Sequence, residues 1–461
     1  MTAPAGSLCS GVGMLDRAIE TLFDVSTAWF AEMNPAAATV YAHHWPGLPN
    51  LGDITAVNWG DVDPVRLLKA GFPCQPFSSA GRGAGSSDER HLWPTAVLPA
   101  ITTILPPVVV LENVPGLLRI EHGQVWGQVL ADLDRLGYTV AWTTVGACKV
   151  GACHHRHRLF VLAVRDTAVP TPDVTPSACR QGEAWAPVQD VLFGDTESVR
   201  WPDAGMSRAG VVWPLPAGVC ANHGVLFKTP TSQLAINGGS QHPDKRKAGG
   251  HGPTLADEVE HLLPTPRATD TGTPGRRAPE GFRPPLSQVL MDLLPTPRVS
   301  ADRTGRSAIT GSSSSPSLAQ ALEIAAGVLP RELRSWEEAP PAWQPAGSVD
   351  PGRFGRYEAA VRRHEQTFGL PAPEPTEPIG EGQPRLSVRF VEWMMGLPAG
   401  YVTDLVSSGR GRPEGMISRN DAMKALGNGV FGPAATHALM SLPTFGAAQA
   451  LLAARPLAVA A

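Results

Sequence analysis

Gly71-Phe72-Pro73-Cys74-Gln75-Pro76-Phe77-Ser78 sets one cysteine between two prolines, flanked by aromatics, in a segment with no helical periodicity. Proline fixes its own φ and biases the residue before it to extended geometry, so the octet reads as a stiff loop that holds one thiol in place. A held thiol is what covalent catalysis needs, because the thiolate is the attacking species. A cysteine taken alone is more often a small buried apolar residue; here its neighbours turn the reading toward chemistry.

Upstream, Ser7-Leu8-Cys9-Ser10-Gly11-Val12-Gly13-Met14-Leu15-Asp16 is a small-residue turn that opens a helix from about Met14 to Phe23. Gly11 and Gly13 let backbone approach a ligand closely at a helix N-terminus, although Gly-x-Gly by itself fits a plain strand-to-helix turn equally well. Ala28-Trp29-Phe30-Ala31 reads as a strand that ends at Glu32. An acid about 20 residues beyond a glycine turn is where a dinucleotide-type fold meets ribose hydroxyls. A second acid, Asp53, precedes Ile54. Apolar strands alternating with helices predict an open α/β sheet whose ligands collect at the carboxyl ends of the strands.

Downstream, the glycine- and serine-rich stretch from Ser79 to Trp93, with Arg82 and Arg90, reads as a loop able to close on a ligand. Pro106-Pro107-Val108-Val109-Val110-Leu111-Glu112-Asn113-Val114 is apolar enough for a buried parallel strand and ends in a carboxylate, which is costly there unless it is paired or functional. Leu117 to Leu136 looks helical, and Gly137-Tyr138-Thr139-Val140 starts another strand. In Cys153-His154-His155-Arg156-His157-Arg158-Leu159-Phe160-Val161-Leu162, period-two alternation places His154, Arg156 and Arg158 on one face. Cys148, Cys153, His154, His155 and His157 fall within ten residues. They raise a metal-site alternative, but a structural zinc site wants ligand pairs brought together by a turn, so no metal is expected.

Taken together, the Cys74 octet, Glu112-Asn113-Val114 and the Arg156-x-Arg158 pair resemble the successive signatures of the cytosine-C5 DNA methyltransferases, in that family's order. The resemblance covers roughly residues 6–165 and 385–442. It implies a Rossmann-like S-adenosylmethionine-dependent methyltransferase domain carrying an inserted, mostly irregular or β target-recognition domain. By the same likeness Cys74 attacks cytosine C6, Glu112 contacts N3 and the amino group, Arg158 contacts O2, and Arg156 supports the site and the DNA backbone. The S-adenosyl-L-methionine pocket would comprise Cys9, Gly11, Gly13, Met14, Glu32 on the ribose, Met33, Asp53 on the adenine amino group, Ile54 against the ring, Pro73 and Asn428. The family usually has Phe in the turn and a pair of glycines; here Cys9 and Met14 stand at those places. Asp88, Arg90 and Leu92 match the end of the family's closing loop.

From 167 to about 384 the composition shifts to Pro, Gly, Ser, Thr and Arg. Pro253-Thr254-Leu255, Pro284-Pro285-Leu286 and Pro316-Ser317-Leu318 begin echoing units, with leucines 31 and then 32 residues apart. Regular echoes suggest one supersecondary unit used several times. Arg267, Arg276, Arg277, Arg298, Arg303, Arg306, Lys245, Arg246 and Lys247 are candidates for phosphate and base-edge contact; a solvated insert is the alternative, and the segment's position favours function. With the closing loop, Gln75, Ser78, Arg82, Arg90, Arg267 and Arg298 form the expected DNA-contact set. The expected division is 1–166, catalytic and cofactor-binding; 167–384, target recognition and linker with a helix over Arg356 to Thr367; and 385–461, returning to the first domain. In that last part Arg385 to Pro398 has helical spacing, and Ala425-Leu426-Gly427-Asn428-Gly429-Val430 precedes a helix from Pro433 to Leu442.

The 461 residues exceed one compact core, and 43% hydrophobic content fills more than one. No membrane-length apolar run or secretory leader is visible, and six cysteines in so long a chain do not suggest a disulfide framework. A monomeric protein of the bacterial cytoplasm, host- or phage-encoded, acting on double-stranded DNA is the expectation. A net charge of -4 argues against coating nucleic acid by charge alone but not against a basic cleft. Only six of the 38 basic residues are lysines; a G+C-rich genome explains that more readily than guanidinium recognition does. Two rivals stay open: a DNA-binding relative without methyl transfer, and an RNA cytosine-C5 methyltransferase.

Overall fold

A computed structural model describes residues 2–72, 92–165, 201–216, 226–235, 254–262, 353–379, 383–407 and 413–454, with a few isolated residues between these segments. The Cys74 loop, the Ser79–His91 stretch and most of the repeats lie outside the described residues.

The first strand β1 (Ala3–Leu8) is followed by α1 (Met14–Phe23), β2 (Val25–Ala31), α2 (Pro35–His44) and β3 (Leu67–Ala70). Then come α3 (Leu98–Ile104), β4 (Val108–Asn113), α4 (Gln124–Arg135), β5 (Thr139–Gly146) and β6 (His157–Val164). A hairpin of β7 (Ala204–Arg208) and β8 (Val211–Pro214) completes an eight-stranded sheet in the order β2-β1-β3-β4-β6-β5-β7-β8. The pairs β2-β1, β1-β3 and β3-β4 are parallel, whereas β6 runs antiparallel to both β4 and β5. The chain leaves β1 toward β2 on one side and returns to β3 on the other. Such a switch point opens a crevice at the carboxyl ends of the strands.

Side-chain alternation sorts the sheet into two cores. Val109 and Leu111 of β4, with Leu159, Val161 and Ala163 of β6, join Trp93, Trp126 and the buried faces of α3 and α4. Val108 and Val110, with Phe160, Leu162 and Val164, face the opposite way, onto α1 and two late helices, α9 (Gly432–Met440) and α10 (Phe445–Ala453). The last helices thus cover one face of a sheet that the first strands began. Thr444 Oγ1 donates to the Leu162 carbonyl at 3.1 Å, and the Arg66 guanidinium reaches the Leu451 carbonyl.

A third core gathers α5 (Leu255–Leu262), α6 (Glu358–Phe368), α7 (Val388–Met394) and α8 (Arg419–Asn428), with Phe227 stacked on Tyr357 at 4.0 Å. Within it Glu392 is buried and accepts from the Gly400, Val402 and Thr403 amides and the Thr403 hydroxyl at 2.6 to 3.0 Å. Those four donors hold the turn after α7 and offset part of the cost of burying a carboxylate. A short antiparallel pair, β9 (Thr376–Ile379) and β10 (Gln383–Leu386), borders this core. Among the described residues no helix is long and apolar enough to cross a membrane.

Helices over Met14–Phe23 and Glu358–Phe368 agree with the sequence reading. Leu117–Leu136 does not form one helix. Two 3-10 turns, with Glu121 and His122 in left-handed geometry, precede α4, which starts only after Gly123 at φ 87°. The β4 strand is parallel on one edge only, because β6 supplies the other edge from the opposite direction.

Candidate active site

The crevice is walled by residues at the ends of three parallel strands. Cys9, Ser10, Gly11 and Val12 follow β1, Gly71 follows β3, and Glu112 lies near the end of β4. Lys69, Met14, Leu15 and the late residues Asn428, Gly429 and Val430 line the same cavity.

The glycine turn is locked by its acid. Glu32 Oε2 accepts from the Gly11 amide at 2.8 Å, and Oε1 accepts from the Asn34 amide at 2.8 Å. Asn50 clamps Glu32 from the other side: its Oδ1 accepts from the Glu32 amide and its Nδ2 donates to the Glu32 carbonyl, both at 3.0 Å. Gly13 sits at φ 80°, and a Cβ there would fall 2.3 Å from the Trp45 ring, so both conformation and space require glycine. Asp53 is exposed, and bonds from the Thr55 amide (2.9 Å) and hydroxyl (2.8 Å) hold its carboxyl below the usual range. Ile54 beside it is buried, and Met33 is a large apolar side chain left 71% exposed.

Cys9 lies in left-handed geometry at φ 50°. Burial, with Glu32 nearby, pushes its thiol up to about 12, so it stays protonated at neutral pH. Met14 packs its sulfur where a side chain on Gly429 would otherwise project. Asn428 closes α8 rather than standing free in a loop.

Glu112 is 8% exposed, and its Oε1 accepts from Arg158 Nε at 3.0 Å. Burial raises the Glu112 carboxyl against the pull of Arg158, Arg156 and Lys69. A Cβ on Gly71 would meet Glu112 Oε2 at 3.4 Å, so the chain leading into the Cys74 loop passes directly over this carboxylate. Asn113 Nδ2 donates to the Phe72 carbonyl at 3.3 Å and fastens that chain in place. Cys74 itself, with Pro73, Gln75, Ser78, Arg82, Arg90, Arg267 and Arg298, lies outside the described residues.

The expected common face of His154, Arg156 and Arg158 does not form. The strand begins only at His157, and Arg156 takes a positive φ of 33°, which breaks the alternation. His154 is fully buried, its Nε2 sits 2.8 Å from the Met394 carbonyl, and burial lowers it to about 3, leaving a neutral ring. Arg156 is 2% exposed and donates to the carbonyls of Pro230 (2.9 Å), Gly427 (3.1 Å) and Gly429. It ties the inserted segment and the end of α8 to the sheet, so its guanidinium does not face a DNA backbone. Arg246, expected in a phosphate-contacting loop, is paired with buried Asp257 at 2.5 Å.

Lys69 escaped the sequence reading. It is buried inside β3, with Nζ 2.6 Å from Asp16 Oδ2, and Tyr41 donates to Asp16 Oδ1 at 3.1 Å. A lysine inside Leu67-Leu68-Lys69-Ala70 was the visible signal, since a buried ammonium demands a partner.

The profile of the C-5 cytosine-specific DNA methylases matches residues 5–191. Over those residues the chain is similar to that family. The methylase match takes in β1 through β6, with Glu112, Arg156 and Arg158, and the late helices lie beyond it. The chain is 32% identical over 155 residues to the type II methyltransferase M.BsuFI of Bacillus subtilis, covering 34% of this chain and 37% of that protein. It is 31% identical over 190 residues to M.NgoBI of Neisseria gonorrhoeae, covering 41% and 57%. The matched segments thus span between about a third and somewhat over half of these relatives. A crystal structure of the S. pombe Dnmt2 methyltransferase aligns over 37% of this chain and 54% of its own at 21% identity, with a TM-score of 0.32.

Proposed function

We propose that this protein is a DNA (cytosine-5-)-methyltransferase that moves a methyl group from S-adenosylmethionine to C5 of a flipped cytosine in duplex DNA. The observation that carries the reading is the Glu112–Arg158 pair, 3.0 Å apart, with Glu112 on the wall of the crevice that Gly11 and Val12 also line. A carboxyl that burial favours in its protonated form, beside a fixed guanidinium, matches a cytosine edge that offers N3 and O2 as acceptors.

The crevice fits the donor. Glu32 stands at the glycine turn for ribose hydroxyls, Ile54 offers an apolar surface, and Gly11 has nothing within 4 Å of where a side chain would begin. Asp53 and Asn428 complete the set of residues that would hold it. The bound donor supplies an electrophilic methyl group.

This chain's residues do the rest. The Cys74 thiolate forms a bond to C6 while Glu112 gives a proton to N3, so electron density gathers at C5. After C5 is methylated, loss of the C5 proton to a base expels the thiolate and restores the aromatic ring. Glu112 then returns to its proton-bearing state by taking back the N3 proton. The covalent route replaces one high barrier by lower ones. Stacked cytosine is out of reach, so flipping, at a cost of a few kcal/mol, precedes the chemistry.

The test is a duplex with 5-fluorocytosine at every cytosine, with S-adenosylmethionine, comparing wild type with Cys74→Ala. Fluorine does not leave as a proton does, so an adduct that resists denaturation with wild type only is the expected result. DNA binding without an adduct would sink the catalytic reading and leave a binding relative. Adducts on tRNA in preference to duplex DNA would change the substrate class.

A further inference from the structure

The turn between β5 and β6 gathers three metal-binding side chains that the reaction above does not use. Cys148 is fully buried in a 3-10 turn (Ala147–Val150), while His155 and His157 are exposed on the returning chain. Their ligating atoms all lie within 4.8 Å of one another, with Cys148 Sγ 3.8 Å from His155 Nδ1. Zinc bonds of about 2.3 Å to sulfur and about 2.0 Å to nitrogen, at a tetrahedral angle, put S and N roughly 3.6 Å apart. The side chains therefore already stand near ligating separation without an ion.

Backbone pairing fixes the scaffold. His157 is in register with Gly146, and the Ala147 amide donates to the His155 carbonyl at 2.7 Å. The sequence reading dismissed a metal for want of a turn; the 3-10 turn supplies it. Of the five candidates, Cys148, His155 and His157 bring their ligating atoms together, while His154 is engaged with the Met394 carbonyl.

We infer that Cys148, His155 and His157 form a Zn2+ site with three protein ligands and solvent in the fourth position, clamping the β5–β6 turn. Exposure of both imidazoles leaves room for that water. On binding, the metal forms bonds to Cys148 sulfur and two imidazole nitrogens and displaces the thiol proton to solvent. The clamp adjoins the active site, because the His157 carbonyl accepts from Arg158 Nη1 at 2.8 Å. The metal assignment does not depend on the methyl-transfer reading.

The test uses the full chain, chelator-treated and kept reduced, titrated with Co2+ and then with Zn2+. Wild type is expected to take one equivalent of Co2+ with a thiolate-to-cobalt charge-transfer band, which Zn2+ removes by displacement. Cys148→Ser abolishes the band, and Cys74→Ala leaves it. His155→Gln and His157→Gln, both at exposed positions, each weaken Zn2+ binding at least about 10-fold, since loss of a ligand exceeds loss of an outer partner. Circular dichroism confirms that the histidine variants stay folded. No stoichiometric binding, binding undiminished in both histidine variants, or a band lost with Cys74→Ala instead would overturn the site.

Discussion

Arg158 joins Glu112 through Nε at 3.0 Å, and the same guanidinium holds the carbonyl of its own neighbour, His157, at 2.8 Å. Both contacts therefore fix the guanidinium in place. Arg158→Ala is expected to lower kcat for methyl transfer by about 10²–10³, the loss typical of one preorganised donor. Arg158 is partly exposed, so the thermal midpoint should move by only a few degrees. A stopped-turnover assay with tritiated donor, alongside a melting curve, checks both. Unchanged kcat would remove Arg158 from the site.

Glu112 makes stability depend on pH with a definite sign. Its folded-state pKa is raised by burial above the unfolded value, so the native state holds the proton more tightly. The contribution is complete below the unfolded value of about 4.3 and is lost as pH rises through the raised folded value. Stability of wild type minus that of Glu112→Gln should therefore fall as pH climbs through this window. Urea unfolding of both proteins at a series of pH values measures it, and a flat or rising difference would contradict the assignment.

Arg156 should act on the fold. Removing its guanidinium leaves the carbonyls of Pro230, Gly427 and Gly429 without that donor. Arg156→Met is expected to cost about 2–4 kcal/mol, from charged hydrogen bonds of about 1.5–3 kcal/mol each, partly compensated by apolar packing. Proteolysis should show the Gly427–Val430 region opening first. A variant as stable as wild type would show that the clamp carries no energy.

Lys69 and Asp16 form an ion pair in the interior, 2.6 Å apart. Lys69→Met should destabilise by about 3–5 kcal/mol, because it leaves the Asp16 charge buried with, among the described residues, the Tyr41 hydroxyl as its side-chain partner. The double variant Lys69→Met/Asp16→Asn should regain part of that loss. Additive losses in the double-mutant cycle would mean that the two groups are not coupled.

Gly13→Ala combines a left-handed φ of 80° with a methyl 2.3 Å from the Trp45 ring. Overpacking of this kind typically costs about 1–3 kcal/mol, and the displaced turn should weaken donor binding. Calorimetry with S-adenosylhomocysteine reads the second effect. Retained affinity would detach the glycine turn from the cofactor site.

The sheet and crevice were legible because their signals are local. The β4 run is apolar throughout, the Glu112 carboxylate closes it, and Gly11 and Gly13 mark a close turn. The Arg156–Arg158 segment was misread because alternation holds only within a strand, and the positive φ at Arg156 lies just before β6 starts. Asn50, Asn113 and Glu392 were missed because their roles are hydrogen bonds to backbone brought near by tertiary folding, and no sequence period announces such partners. The pairing of Lys69 with Asp16 needed β3 laid beside α1, although the lysine itself stood out.

Arg156 and the Gly429 carbonyl that it holds are 273 residues apart in the chain. A ribosome extending at about 5–20 residues per second needs on the order of tens of seconds to make the second after the first. Once β8 is made, the emerging sheet has its strands but still lacks α9 and α10, which with α1 cover one of its two apolar faces. Nascent molecules should therefore depend on chaperones that shield hydrophobic surface. Expression yield should respond to translation speed over the middle of the gene far more than over its first third.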